Sequence, residues 1–213
     1  LKRKVAQQCH DMTTGGHGTQ CPGRQVLLVR HGQSLHNAHH DVDEVLRDPM
    51  LSELGHAQAA SLRSVPFVSA GCELLVVSPL SRAIQTASAV FGELPMCRTV
   101  LTPLHSERWC SIADEGRSKS ELLQLFPFVA SWEGFAELPE DWTPTCQEAA
   151  WKTERVPAFL DWLAAQPEQR IVVIGHGAFF AALLGRYLQN CEVAEFAESP
   201  MGGHERLRGW QGL

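Results

Sequence analysis

The sequence predicts an α/β protein: a three-layer α/β/α sandwich in which helices cover both faces of a mostly parallel central sheet. Two runs of consecutive apolar residues, 26–29 and 171–174, lack the alternation of a half-exposed strand and indicate strands that are buried on both faces. Helical sequence follows each run, as the crossovers of a parallel sheet require. The length of 213 residues fits one such domain, and a hydrophobic content of 44% is enough for a substantial core.

Both apolar runs end in a histidine with a glycine beside it. The first run continues into Arg30, His31 and Gly32, and the second into Gly175, His176 and Gly177. The carboxyl ends of parallel strands meet at one sheet edge, where α/β proteins bind their ligands, and a helix that begins there favours an anion. Together the two runs predict a phosphate site. The first run alone is equally consistent with an arginine and a histidine that simply reach solvent.

The amino-terminal part of the chain offers two sets of residues that could bind a metal. Residues 1–24 show no hydrophobic periodicity and are expected to form a flexible tail. The first set lies in this tail and consists of Cys9, His10, His17 and Cys21. The second set is His36, His39, His40, Asp41 and Asp43. The first lacks the paired short spacings of a zinc site, and the second is better explained as polar surface, so no metal is expected.

The next segment predicts a helix, a strand and a second helix. Residues 48–67 predict a turn followed by a helix with Ser52 as its N-cap. A further unalternating strand is predicted over residues 73–77, and it stops before Pro79, which suits the first turn of a helix. Arg82 lies near the start of that helix, where it can face the same sheet edge. Its planar guanidinium can hold two phosphate oxygens at once.

The remainder of the chain predicts four regular elements and one long connection. The elements are a strand over residues 96–101, an amphipathic helix over 146–165 with a kink at Pro157, an apolar helix over 178–188 and an edge strand over 190–196. Residues 104–145 carry Trp132, Phe135 and Trp142, and they form either a lid that sets substrate specificity over the C-terminal sheet edge or a packed connecting loop. The domain is expected to span residues 25–200, with a C-terminal tail over 201–213.

Three motifs, in order, resemble those of the histidine phosphatase superfamily, also called phosphoglycerate mutase-like. They are residues 28–34 (LVRHGQS) with Asn37, residues 78–87 (SPLSRAIQTA) and residues 174–177 (IGHG). A further segment, residues 113–117, resembles a phosphatase-like branch in which a C-D-x-G-R sequence occurs, with Ala113 in place of the cysteine. The resemblance covers nearly all of the chain and implies the predicted fold.

The resemblance also implies a role for each site residue. His31 matches the nucleophile, and Arg30, Arg82 and His176 match the groups that bind the phosphoryl group. Glu107 matches the proton donor to the leaving group, with Asp114 and Glu115 as rival acids. The additional phosphate-binding residues are Ser34, Asn37 and Gly177. The superfamily needs no metal and no other cofactor for this chemistry.

The expected function is hydrolysis of a small phosphorylated molecule through a phosphohistidine at His31. A phosphoglycerate mutase is one alternative, although His36 stands where the true mutases have tryptophan and residues 109–111 read Trp-Cys-Ser instead of His-Tyr-Gly. A catalytically silent module that binds a phosphorylated ligand is another alternative. A metal hydrolase built on the second set of metal-ligating residues is a weaker one.

Composition limits the partners and the compartment. The net charge is −6 and no segment is strongly basic, so nucleic acid is not an expected partner. No segment approaches the roughly 20 apolar residues of a membrane span. The cysteines number seven and are scattered without a C-x-x-C pair, which favours reduced thiols in the cytoplasm over a disulfide framework.

Overall fold

A computed structural model describes residues 24–38, 46–69, 71–143 and 151–196 and contains a five-stranded sheet in the centre of the domain. The strands are β1 (Gln25–Arg30), β2 (Leu74–Val77), β3 (Arg98–Leu101), β4 (Arg170–Gly175) and β5 (Val193–Phe196). Their order is β3-β2-β4-β1-β5; the first four are parallel, and β5 pairs with β1 in the antiparallel direction. The mostly parallel sheet and the final edge strand are therefore confirmed.

Seven α-helices connect and cover the strands within the described ranges. They are α1 (Leu35–Ala38), α2 (Glu53–Ser61), α3 (Pro66–Ser69), α4 (Ser81–Phe91), α5 (Lys119–Leu125), α6 (Arg155–Ala164) and α7 (Gly177–Leu184). Ser52 caps α2 as expected, because its hydroxyl accepts a hydrogen bond from the amide of Gly55 at 3.1 Å.

Alternate residues of the strands enter two separate apolar cores, one on each face of the sheet. Leu27 and Val29 of β1 pack with α2, α4 and α5, whereas Val26 and Leu28 pack with α6 and α7. Because successive side chains of a strand point to opposite faces, a strand without alternation is the one that suits a sheet covered on both sides. The three-layer sandwich is confirmed.

Several predicted boundaries differ from the observed ones: the strands predicted over 96–101 and 190–196 begin two and three residues later, and three differences in the helices involve a proline or a glycine. Helix α4 begins at Ser81, so Pro79 precedes the helix and does not occupy its first turn. Helix α6 begins at Arg155, so Pro157 falls in the first turn, where a proline breaks no helical hydrogen bond and produces no kink. Helix α7 ends at Leu184 and not at residue 188, because Gly185 adopts a left-handed conformation (φ 72°) that stops the helix.

The aromatic residues of the long connection pack into the core. Trp132, Phe135 and Trp142 are all buried on the face that carries α2, α4 and α5. The indole of Trp142 donates to the carbonyl of Arg117 at 2.8 Å, and that of Trp132 donates to the carbonyl of Glu93 at 3.2 Å. The part of the connection that carries these aromatic residues is therefore a packed loop.

Several expectations lie outside the described residues. They are the N-terminal tail up to residue 23, the metal-ligating residues between 39 and 43, residues 146–150 of the helix predicted over 146–165 and the tail over 201–213. Residues 151–154 of that predicted helix are described and form turns. Arg24 is described, and its guanidinium donates to the carbonyl oxygens of Leu163 and Ala164 at the end of α6. Within the described ranges, no helix is long and apolar enough to cross a membrane.

Candidate active site

Two imidazoles meet at the C-terminal edge of the sheet. Strands β1 and β4 are parallel neighbours in which Arg30 pairs with Gly175, so the residues that follow, His31 and His176, leave the sheet side by side. The ring centroids lie 5.2 Å apart with the planes inclined by 55°, and the two residues are 3% and 0% exposed. Residues 145 positions apart are thus brought together by strand register alone.

The hydrogen bond of His31 defines its tautomer. Nδ1 lies 2.7 Å from the carbonyl oxygen of Gly32, which can only accept, so Nδ1 carries the proton and Nε2 carries the lone pair. Burial holds the pKa of His31 well below its usual value, and the nearby positive charges of Arg82 and Arg30 lower it further. His31 is therefore neutral at physiological pH, as a nucleophile must be.

His176 is bound to a buried serine. Its Nε2 lies 2.8 Å from the hydroxyl of Ser78, which is 3.4 Å from the hydroxyl of Ser106. Its Nδ1 is buried and has no hydrogen-bond partner in the part of the chain that the structure describes. Burial lowers the pKa of His176, with contributions from Arg82 and His31. Sequence reasoning included Ser78 as the first residue of the second motif but gave it no role, and so missed this contact.

Arg82 is held by one helix and one loop. Asp48 fixes the start of α4, because its carboxylate accepts from the backbone amide of Ser81 at 2.9 Å and from the Ser81 hydroxyl at 2.6 Å. The guanidinium of Arg82 then donates to the carbonyl of Ala113 at 2.8 Å and forms a buried ion pair with Asp114 at 3.0 Å. Asp114, considered from sequence as a rival acid, is thus the charged partner of Arg82.

The face of α4 also holds the loop that carries His31. The hydroxyl of Thr86 accepts from the amide of Gly32 at 3.1 Å and donates to the carbonyl of Arg82 at 2.7 Å. One turn of helix therefore positions both the second arginine and the backbone next to the first histidine.

Arg30 lies against the start of α7. Its Nη1 donates to the carbonyl of Leu188 at 2.7 Å, whereas its Nε is buried without a partner among the described residues. A Cβ atom at position 177 would stand 3.3 Å from the Nε of Arg30, which is closer than most Cβ contacts. Gly177 therefore makes room for the guanidinium.

Glu107 binds the same helix start from the other side. Its carboxylate accepts from the amides of Ala178 at 3.1 Å and Phe179 at 3.2 Å, and from the amide of Arg108 at 2.9 Å. Burial raises the pKa of Glu107 above its usual value, while the bond from Ala178 opposes that shift. A carboxyl group with a raised pKa is suited to donate a proton near neutral pH.

Ser34 and Asn37 form a small hydrogen-bonded unit beside His31. The Asn37 side-chain oxygen accepts from the hydroxyl of Ser34 at 3.1 Å, and the Ser34 hydroxyl accepts from the backbone amide of Asn37 at 3.3 Å. Asn190, which sequence reasoning missed, joins them by donating to the carbonyl of His31 at 3.0 Å and to the Asn37 oxygen at 3.5 Å. Ser34 is thus bonded to Asn37 through both its hydroxyl and its backbone amide.

The site residues line one cavity of about 190 Å³. Seven of the eight predicted site residues contribute to its wall, namely Arg30, His31, Ser34, Asn37, Arg82, Glu107 and Gly177, and the eighth, His176, contacts His31. The remaining lining includes His36, Arg108, Cys110 and Tyr187. Within the described ranges, no group of three or more metal-ligating side chains is placed to hold a metal ion.

A neutral imidazole, two guanidiniums and a carboxyl group at the C-terminal edge of an α/β sheet are the groups of a phosphoryl-transfer site. A sequence profile of the histidine phosphatase superfamily (branch 1) matches residues 26–205, and the chain belongs to this superfamily.

Three relatives illustrate the similarity. A phosphoglycerate mutase-like protein of Arabidopsis thaliana is 27% identical over 215 residues, covering 79% of this chain and 76% of that protein. Glucosyl-3-phosphoglycerate phosphatase of Mycolicibacterium vanbaalenii is 29% identical over 178 residues, covering 78% and 74%. The solved structure of phosphoserine phosphatase from Entamoeba histolytica in complex with 3-phosphoglyceric acid has a TM-score of 0.51 at 21% identity, covering 80% and 89% of the two chains. The last comparison supports the fold.

Proposed function

We propose that this protein is a phosphomonoester hydrolase that acts through a phosphohistidine at His31. The observation that carries the proposal is the tautomer of His31: its proton is fixed on Nδ1 by the Gly32 carbonyl, so Nε2 carries the lone pair, and His31 lines a cavity that Arg30 and Arg82 also line. Its relatives include phosphatases, such as the glucosyl-3-phosphoglycerate phosphatase, and this agrees with the proposal.

In the first step, Nε2 of His31 attacks phosphorus in line with the bond to the leaving group. The P–N bond forms while the P–O bond of the ester breaks. Arg30 and Arg82 stabilise the charge on the phosphoryl oxygens. His176, whose Nδ1 lacks a partner among the described residues, donates to one of these oxygens once the bound phosphate favours its cationic form.

Glu107 supplies the proton that the departing oxygen needs. The step requires a protonated carboxyl group, and burial raises the pKa of Glu107 in that direction. After the alcohol has left, the Glu107 carboxylate accepts a proton from the incoming water, which attacks phosphorus and releases inorganic phosphate from His31. The cycle returns both groups to their starting protonation states.

Substrate specificity is proposed to depend on the first part of the connection over residues 104–145. Glu107, Arg108, Cys110 and Asp114 line the cavity from this part, whereas the aromatic second part packs into the core. The three basic residues of this connection differ in their contacts: Arg108 lines the cavity, Arg117 lies 3.8 Å from Asp48 and Lys119 donates to the carbonyl of Ala136. A cavity this small suits a small phosphorylated molecule.

The test is hydrolysis of p-nitrophenyl phosphate by the purified chain and by His31→Ala. We expect His31→Ala to lose roughly a thousandfold or more of kcat, since no other group replaces the nucleophile. His56→Ala, an exposed histidine on α2, serves as the matched control and should retain full activity. Equal activity of His31→Ala and the parent would overturn the proposal.

Two of the alternatives, the mutase and the silent binding module, make different predictions in other assays. A mutase would convert 3-phosphoglycerate to 2-phosphoglycerate when primed with the bisphosphate, whereas a hydrolase releases inorganic phosphate. A silent binding module would bind phosphate without turning over any ester in a broad panel.

A further inference from the structure

An arginine-centred cluster lies beside the segment that carries Glu107. Arg155, the first residue of α6, is half-buried and donates to three backbone carbonyls of one short segment. Nη1 bonds to the oxygens of Ser106 at 2.5 Å and Leu104 at 3.4 Å, and Nη2 bonds to the oxygen of Glu107 at 3.2 Å. The guanidinium thus holds the main chain on which Glu107 is mounted.

Two aromatic rings hold the guanidinium in turn. The central carbon of Arg155 lies 5.9 Å from the ring centroid of Trp151 and 5.5 Å from that of Phe179. A guanidinium over an aromatic face gains electrostatic attraction as well as packing, and the gain is larger where water is excluded. Both Trp151 and Phe179 are buried.

Phe179 connects this cluster to the acid. The amide of Phe179 donates to the Glu107 carboxylate at 3.2 Å, while its ring supports Arg155. Glu107 is therefore fixed at two points: its carboxylate by the start of α7 and its own carbonyl by Arg155.

We propose that Arg155 is a positioning residue for general acid catalysis, holding the 104–107 segment so that the Glu107 carboxyl group faces the leaving oxygen. This inference rests on the proposed function, in which Glu107 is the acid. Arg155 itself does not line the cavity, so it acts through the backbone of Glu107 and not on the substrate.

A misplaced acid harms some substrates much more than others. An alkoxide leaves poorly unless it is protonated, whereas p-nitrophenolate leaves readily without a proton. Loss of Arg155 should therefore slow hydrolysis of an alkyl ester such as glycerol 2-phosphate far more than that of p-nitrophenyl phosphate. A purely structural loss would lower both rates by the same factor.

The experiment compares kcat/KM of Arg155→Gln on these two esters. We expect at least a tenfold loss on glycerol 2-phosphate and less than a threefold loss on p-nitrophenyl phosphate. Arg155→Lys keeps the charge but replaces the planar fork by a single ammonium group, so it should recover only part of the loss. Arg98→Gln is the matched control: Arg98 is bonded to Glu133 and Glu168 at the opposite edge of the sheet, and its loss should leave both rates unchanged.

The pH profile provides a second measurement. If the Glu107 carboxyl group moves toward water in Arg155→Gln, its raised pKa returns toward the usual value. The alkaline limb of the rate on glycerol 2-phosphate, where the acid loses its proton, should then shift to lower pH. An unshifted limb, together with equal losses on both esters, would overturn the inference.

Glu107→Gln separates this inference from the proposed function. Selective loss on the alkyl ester in Glu107→Gln, without such selectivity in Arg155→Gln, would refute the role of Arg155 alone. Absence of selectivity in Glu107→Gln would refute the assignment of the acid. When both variants are selective, Arg155→Gln added to Glu107→Gln should cause little further loss, because the two act through one group.

Discussion

Removal of the Ser78 hydroxyl should weaken catalysis through His176. The hydroxyl of Ser78 lies 2.8 Å from Nε2 of His176, and both residues are 0% exposed. In Ser78→Ala the ring nitrogen stays buried and loses its partner. Such an unsatisfied buried group costs about 1–3 kcal/mol. The cationic form of His176, which needs a partner for both N–H groups, bears the larger part of that cost.

This cost translates into a defined loss of rate. Since about 1.4 kcal/mol corresponds to a factor of ten, kcat/KM should fall by roughly 5- to 150-fold. The assay is steady-state hydrolysis of p-nitrophenyl phosphate, with far-ultraviolet circular dichroism and thermal melting to verify folding. Ser88→Ala is the matched control, because Ser88 lies on α4, the helix that follows Ser78. Among the described residues its hydroxyl bonds only to the Gln85 carbonyl at 3.1 Å. A folded Ser78→Ala with the parent's kcat/KM would refute the role assigned to this contact.

Two further results are expected. Asp114→Asn should lower the rates on p-nitrophenyl phosphate and glycerol 2-phosphate by the same factor, which should not exceed about tenfold. The reason is that Asp114 positions Arg82 through their 3.0 Å ion pair and is not the proton donor. A loss confined to the alkyl ester would contradict this. The free energy of unfolding, measured with urea, should fall as pH drops below about 6.5. Burial lowers the pKa of His31, His105 and His176 in the folded state, so below that pH the unfolded chain binds protons on these histidines that the folded chain does not. The slope is about 1.4 kcal/mol per pH unit for each proton, hence at most roughly 4 kcal/mol per unit for the three histidines, and a flat profile between neutrality and pH of about 5.5 would contradict it.

The sheet and the edge that carries the candidate site could be predicted because their signals are local. Residues 26–29 and 171–174 are apolar without alternation, and strands buried on both faces require that pattern. Once these strands are parallel neighbours, His31 and His176 must leave the sheet together. Sequence patterns and chain geometry therefore point to the same edge.

The supporting contacts could not be predicted, because they depend on tertiary packing between distant segments. The bonds from Ser78 to His176 and from Asn190 to His31 each join residues about a hundred or more positions apart. The pairing of Arg82 with Asp114 depends on how the connection after β3 folds back over α4. One miss did have a local signal: Gly185 follows the apolar helix directly and marks its end at Leu184.

The most direct test of the mechanism is to trap the covalent intermediate. The enzyme is mixed with excess p-nitrophenyl phosphate and quenched in alkali, which preserves the acid-labile P–N bond, and its peptides are then analysed by mass spectrometry. The mechanism predicts a phosphoryl group on the peptide that contains His31, located on that histidine and missing in His31→Ala. A phosphoryl group on another side chain, or turnover by an enzyme that never carries one, would contradict it.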